Sequence, residues 1–80
     1  ENLKHEPNKA LVAKDNGLGD IKLIVEHSTE ALKRGGMLIL EHGYQQKEEV
    51  ENIFKRNHFL DIVNLKDFQD LPRITLGTLE

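Results

Sequence analysis

The stretch Leu32-Lys33-Arg34-Gly35-Gly36-Met37-Leu38-Ile39-Leu40-Glu41-His42-Gly43 constrains this chain more than any other. It reads as a helix end, a glycine stop, a short buried strand and a sharp exit carrying polar groups. Lys33 and Arg34 are cations where the negative end of a helix dipole favours them, and Gly35 can take the left-handed conformation that closes a helix. Met37 to Leu40 is a continuous apolar run, which suits a strand covered on both faces, as in a parallel sheet. Glu41, His42 and Gly43 follow the carboxyl end of that strand, where open α/β sheets bind ligands. One segment thus implies an α/β fold and a side for function.

The flanks supply the other elements. Ile21, Ile24, Val25, Ser28, Ala31 and Leu32 follow the spacing of one buried helix face, with Asp20 as the predicted cap and Ile21 as the first helical residue. A second helix is predicted from roughly Gln45 to Asn57, with Val50, Ile53 and Phe54 as its apolar stripe. Its early Glu48, Glu49 and Glu51 and late Lys55 and Arg56 suit the helix dipole, and Asn57 or His58 would be its left-handed stop. Residues 60–65 and 73–77 have β-rich patterns, and the polar connection 66–71 between them predicts an antiparallel hairpin with Pro72 tolerated at the head of the last strand. Residues 1–19 read as an irregular arm rich in turn formers, with Ala10-Leu11-Val12-Ala13 too short a patch to predict an element. So long an unstructured arm implies that it lies against something else.

At 80 residues the chain forms one small domain with a marginal core, and without cysteine neither disulfides nor thiolate metal sites can compensate. The absence of cysteine suits a reducing compartment, and a cytoplasmic location is expected. The net charge of −3 argues against non-specific binding to nucleic acid, and no apolar run approaches the ~20 residues that span a membrane.

Most chemistry-bearing patterns are missing. Gly17-Leu18-Gly19 is the only G-x-G and follows no predicted strand, so it reads as a turn before a helix. His5, His27, His42 and His58 form no i, i+4 pair, which predicts no metal site. Ser28, the sole serine, lies on a helix stripe with nothing to mark it as a nucleophile. Two places remain: Glu41-His42, which could line a site or cap the second helix, and the arm around His5-Glu6-Pro7 and Asp15-Asn16-Gly17.

The string Glu6-Pro7, Ala10-Leu11, Asp15-Asn16-Gly17-Leu18, Leu32-Lys33-Arg34-Gly35-Gly36, Leu40-Glu41-His42-Gly43 and Gln45-Gln46 resembles the protein-glutamine methyltransferases of the HemK/PrmC family. Phe59-Leu60-Asp61-Ile62, Asp67 and Arg73-Ile74-Thr75-Leu76-Gly77 follow that family's ending in order, so the resemblance covers nearly the whole chain. His5, Lys14, Asn16 and Arg34 depart from the usual pattern without removing a signature group.

The resemblance implies the C-terminal part of a class I S-adenosylmethionine-dependent methyltransferase fold. The order is helix, strand, helix, strand, strand, with the last strand antiparallel and central. Residues 1–19 become an arm on the active-site side and 20–80 the last helices and strands; Leu79-Glu80 reads as a tag remnant. The family transfers a methyl group from S-adenosylmethionine to the glutamine side-chain amide in the Gly-Gly-Gln motif of peptide-chain release factors. Its cofactor loop, its Asn-Pro-Pro-Tyr motif and its substrate-recognition domain would lie upstream. The 80 residues are therefore expected to be inactive, with no catalytic residue and no bound cofactor. Glu6, Pro7, Asn16 and His42 are expected to wall the substrate side. Release factors are the expected partners of the complete enzyme, with no membrane and no direct nucleic-acid partner. Two alternatives stay open: a related enzyme acting on a ribosomal-protein glutamine or a nucleobase amine, and a stand-alone, non-enzymatic interaction module. Truncation would leave the outer edge of strand 37–40 unpaired, so edge-to-edge association or weak stability is expected.

Overall fold

The structure, a computed structural model, describes residues 9–13 and 18–80. Its elements are β1 (Ala10–Ala13), α1 (Leu18–Ala31), β2 (Met37–Glu41), a 3-10 turn (Tyr44–Gln46), α2 (Lys47–Arg56), β3 (Phe59–Lys66) and β4 (Pro72–Leu79). They form one sheet in the order β1-β2-β4-β3. β1 runs parallel to β2, and β4 pairs antiparallel with β2 on one side and β3 on the other. The last strand is therefore antiparallel and central, as the resemblance implied.

Local chemistry explains the boundaries. Gly35 has φ +86 and Gly36 N–H donates to the Lys33 carbonyl at 2.8 Å, so the glycine pair turns the chain out of α1 and into β2. α2 is followed by His58 at φ 70, the left-handed stop. Gln46 caps the turn after β2, its side-chain oxygen accepting the Gly43 N–H at 2.7 Å. Asp61, at φ 53, sits where β3 slips register against β4 between Leu60 and Val63, a bulge that bends the edge strand.

Both helices cover the same face of the sheet. Ile21 and Val25 of α1, with Leu32 just beyond its end, join Val50, Ile53 and Phe54 of α2 against Leu38, Leu40, Phe59 and Leu79. Ile21, Val25, Leu38, Leu40, Val50 and Phe54 are each 0% exposed, and each such burial contributes about 1.5–3 kcal/mol. Leu79, at the end of β4, belongs to this core, and its N–H donates to the Gly36 carbonyl at 2.8 Å.

Four expectations need correction. The patch Ala10–Ala13 is a strand, because its backbone groups complete a parallel ladder with Leu11 opposite Leu38 and Ala13 opposite Leu40. The edge of β2 is consequently paired, and among the described residues the outer strands are β1 and β3. α1 starts at Leu18, so Asp20 is an acidic residue in its first turn and not its cap; a carboxylate is favourable there too. Finally, among the described residues β2 is covered on one face only. Leu38 and Leu40 are buried, whereas Met37 and Ile39 are half-buried on the opposite face. That face continues through Val12, Ile74, Leu76, Leu60, Val63 and Leu65, an apolar surface that no described helix covers. A continuous apolar run signals two apolar faces; it does not supply the second layer.

Candidate functional site

β2 and β3 end, and β4 begins, at the same end of the sheet, and the turn after β2 crosses it. There a cavity of about 420 Å³ is lined by Glu41, His42, Leu65, Lys66, Asp67, Arg73 and Ile74. Its floor comes from the uncovered apolar face; its rim is charged.

His42 forms the inner wall. Its side chain points to the helix-covered face and is 1% exposed. Both ring nitrogens are engaged: Nδ1 lies 2.8 Å from the Gly43 carbonyl and Nε2 2.7 Å from Thr75 Oγ1. A carbonyl only accepts, so Nδ1 carries the proton, and Nε2 of the neutral ring accepts from the Thr75 hydroxyl. Thr75 in turn accepts the Asn64 Nδ2–H at 2.6 Å. The chain Asn64–Thr75–His42–Gly43 links β3, β4 and the turn after β2, so both ring nitrogens and the buried Thr75 hydroxyl have partners. His42 thus locks the exit of β2; Gln46, which holds the Gly43 N–H, caps the following turn.

The outer rim is organised by Asp67. Its Oδ1 accepts the N–H groups of Gln69 at 2.8 Å and Leu71 at 3.0 Å, folding the loop between β3 and β4 around the carboxylate. Its Oδ2 accepts Arg73 Nε at 2.9 Å. The hydrogen bond from Arg73, followed by the backbone donors, holds the Asp67 carboxyl below its ordinary value of 3.8. Arg73 also lies with its guanidinium carbon 5.5 Å from the centre of the Tyr44 ring. Lys66 meets Asp70 at 3.6 Å, an exposed pair of little energetic weight.

Of the residues expected to wall a site, the structure places His42 here, while Glu6, Pro7 and Asn16 lie outside the described residues. Sequence reasoning missed Tyr44, Asn64, Thr75 and Arg73 as partners of this end. Asp67 and Arg73 carried a usable signal, opposite charges flanking a turn-rich segment between two strands. Nothing local marked Thr75 or Asn64, whose meeting depends on strand register. Among the described residues no group of three or more metal-ligating side chains gathers, and no helix is long and apolar enough to cross a membrane.

No protein-family model matches the chain. Curated relatives do. The release factor glutamine methyltransferase of Haemophilus influenzae is 43% identical over 75 residues, covering 94% of this chain and 26% of the relative. The protein of the same name from Escherichia coli is 45% identical over 75 residues, again 94% of this chain and 27% of the relative. A crystal structure of a release-factor-specific protein-(glutamine-N5) methyltransferase from Alicyclobacillus acidocaldarius superposes with a TM-score of 0.66, covering 90% of this chain and 48% of that one; at 22% identity it speaks for the fold alone. The four-stranded mixed sheet is thus a piece of the class I methyltransferase fold. The chain spans about a quarter of the length of the curated relatives it matches, and over that quarter its sequence is similar to the release factor glutamine methyltransferases.

Proposed function

We propose that these residues form the substrate-side wall of an S-adenosylmethionine-dependent methyltransferase that acts on the side-chain amide of the glutamine in the Gly-Gly-Gln motif of release factors. The observation that carries this reading is identity of 43–45% across 94% of the chain to enzymes of that name. Two structural features support it. The cavity lies at the strand end where such sheets bind ligands. The uncovered apolar face suits a piece of a larger folded body.

The reaction asks for more than this wall. An amide nitrogen is a poor nucleophile because its lone pair is delocalised, so acceptors must grip its N–H bonds and aim it at the methyl donor. The turn after β2 does not fit the cofactor. The turn after β2 has one glycine, Gly43, and its N–H is held by Gln46, leaving no cradle of free backbone donors. This supports the reading that cofactor binding and methyl transfer belong to the remainder of the polypeptide and that the 80 residues alone are inactive. Glu6, Pro7, Asn16 and His42 serve the substrate side, His42 by locking the turn beside the cavity.

Two measurements test this. Titrating the isotope-labelled 80-residue chain with S-adenosylmethionine should give no saturable chemical-shift change. The complete polypeptide should transfer a labelled methyl group to a release factor but not to its glutamine-to-alanine variant. Saturable binding by the 80 residues would refute their inactivity; absence of transfer by the complete polypeptide would refute the assigned reaction.

A further inference from the structure

We propose that Arg73 binds the protein substrate directly, donating Nη N–H bonds to a main-chain carbonyl of the peptide segment that enters the cavity at the end of β2. This rests on the methyltransferase reading and adds to it the group that grips the peptide.

The argument starts from an arginine bound through one nitrogen. Arginine and a carboxylate commonly pair through two parallel hydrogen bonds. Here Asp67 Oδ1 is already taken by the N–H groups of Gln69 and Leu71, so only Oδ2 is left for the guanidinium, and it takes Nε. Among the described residues the Nη groups have no hydrogen-bond partner. The guanidinium is nonetheless fixed: Asp67 holds its inner edge, and the Tyr44 ring 5.5 Å away restrains its plane. With 39% of its side chain exposed, Arg73 lines the cavity with donors that are ordered before any ligand arrives.

The surroundings select the ligand class. Glu41 and Asp67 balance Lys66 and Arg73, so the cavity carries no net positive field of the kind that attracts phosphates. Leu65 and Ile74 make its floor apolar. Ordered N–H donors over an apolar floor, with charge cancelled, suit a neutral carbonyl oxygen on a peptide backbone.

The test is steady-state kinetics of the complete polypeptide with a release factor as substrate. R73Q should raise KM for the release factor on the order of tenfold, the effect of losing a hydrogen bond from a charged donor. kcat and the KM for S-adenosylmethionine should stay within about twofold. R73K keeps the charge without the planar fork and should be as impaired as R73Q. Y44L leaves the Asp67 contact intact and should raise the same KM by a smaller factor, which keeps the proposal testable if R73Q melts near the assay temperature. An unchanged KM in a folded R73Q enzyme overturns the proposal, as does full rescue by R73K, which would point to a simple anion site. Absence of transfer by the wild-type polypeptide overturns the underlying methyltransferase reading instead.

Discussion

Replacing Thr75 by valine keeps the shape of the side chain and deletes one hydroxyl. Thr75 is 0% exposed and His42 1% exposed, so water cannot take the place of that hydroxyl at His42 Nε2. An orphaned buried acceptor costs about 1–3 kcal/mol. Asn64 also loses its 2.6 Å bond, but it is only half-buried and can turn to solvent. Against this, exchanging a buried hydroxyl for a methyl gains up to about 0.8 kcal/mol of apolar burial. Both residues are β-branched, so strand propensity barely changes. The net expectation is a loss of about 1–2 kcal/mol, a fall of roughly 4–16 °C in Tm for a domain of this size. Urea unfolding of the 80-residue chain, followed by circular dichroism, reads it as a lower midpoint at constant slope. Combining Thr75→Val with His42→Leu removes both partners, so the double variant should be more stable than the sum of the single effects predicts, by about 1 kcal/mol. A neutral or stabilising Thr75→Val, or strict additivity with His42→Leu, would show that the Asn64–Thr75–His42 chain contributes nothing.

Other parts of the structure make equally definite demands. A Cβ at Gly77 would stand 2.9 Å from Phe54 Cδ2 and 3.3 Å from Phe59 Cβ, so Gly77→Ala must displace the core. Overpacking of about 1–3 kcal/mol exceeds the ~0.4–1 kcal/mol gained from a stiffer unfolded chain, and calorimetry should show a lower Tm; an unchanged or higher Tm refutes the close packing. Because the folded pKa of Asp67 is lowered, its contribution is fully present above the ordinary carboxylate value of 3.8 and is lost as pH falls through the lower folded value. Carboxyl NMR titration should place Asp67 below its ordinary value in wild type and return it towards that value in Arg73→Gln; a wild-type titration at or above the ordinary value contradicts the hydrogen-bonded loop. The uncovered sheet face should make the isolated chain self-associate, with Val63→Lys shifting sedimentation equilibrium towards monomer. A wild-type chain that stays monomeric at every concentration refutes that expectation, and association that survives Val63→Lys points to the outer edge of β1 instead.

Periodicity carried the elements that are long or sharply punctuated. The stripe of α2, the Gly35 turn, the left-handed stop at His58 and Pro72 at the head of β4 all follow from side-chain spacing and backbone sterics, which act over a few residues. β1 escaped notice because four residues hold too little pattern; it exists because β2 offers it a ladder. Glu41-His42 lies at the end of the sheet that holds the cavity, but its chemistry depends on what faces it. His42 meets Thr75 across 33 positions of sequence, and Arg73 meets Tyr44 because β4 inserts beside β2.

By itself the sequence determined the fold class, the order of the elements after β1 and, through its family string, the central antiparallel last strand. Those are properties of local sterics, of burial patterns and of a linear motif. Only the tertiary structure decided that, among the described residues, β2 is covered on one face, that its edge is paired by β1, and that His42 is locked from both ring nitrogens while Arg73 lines a cavity. Hydrogen-bond partners and second layers are contacts between residues far apart in the chain, and strand register, which no local window contains, selects them.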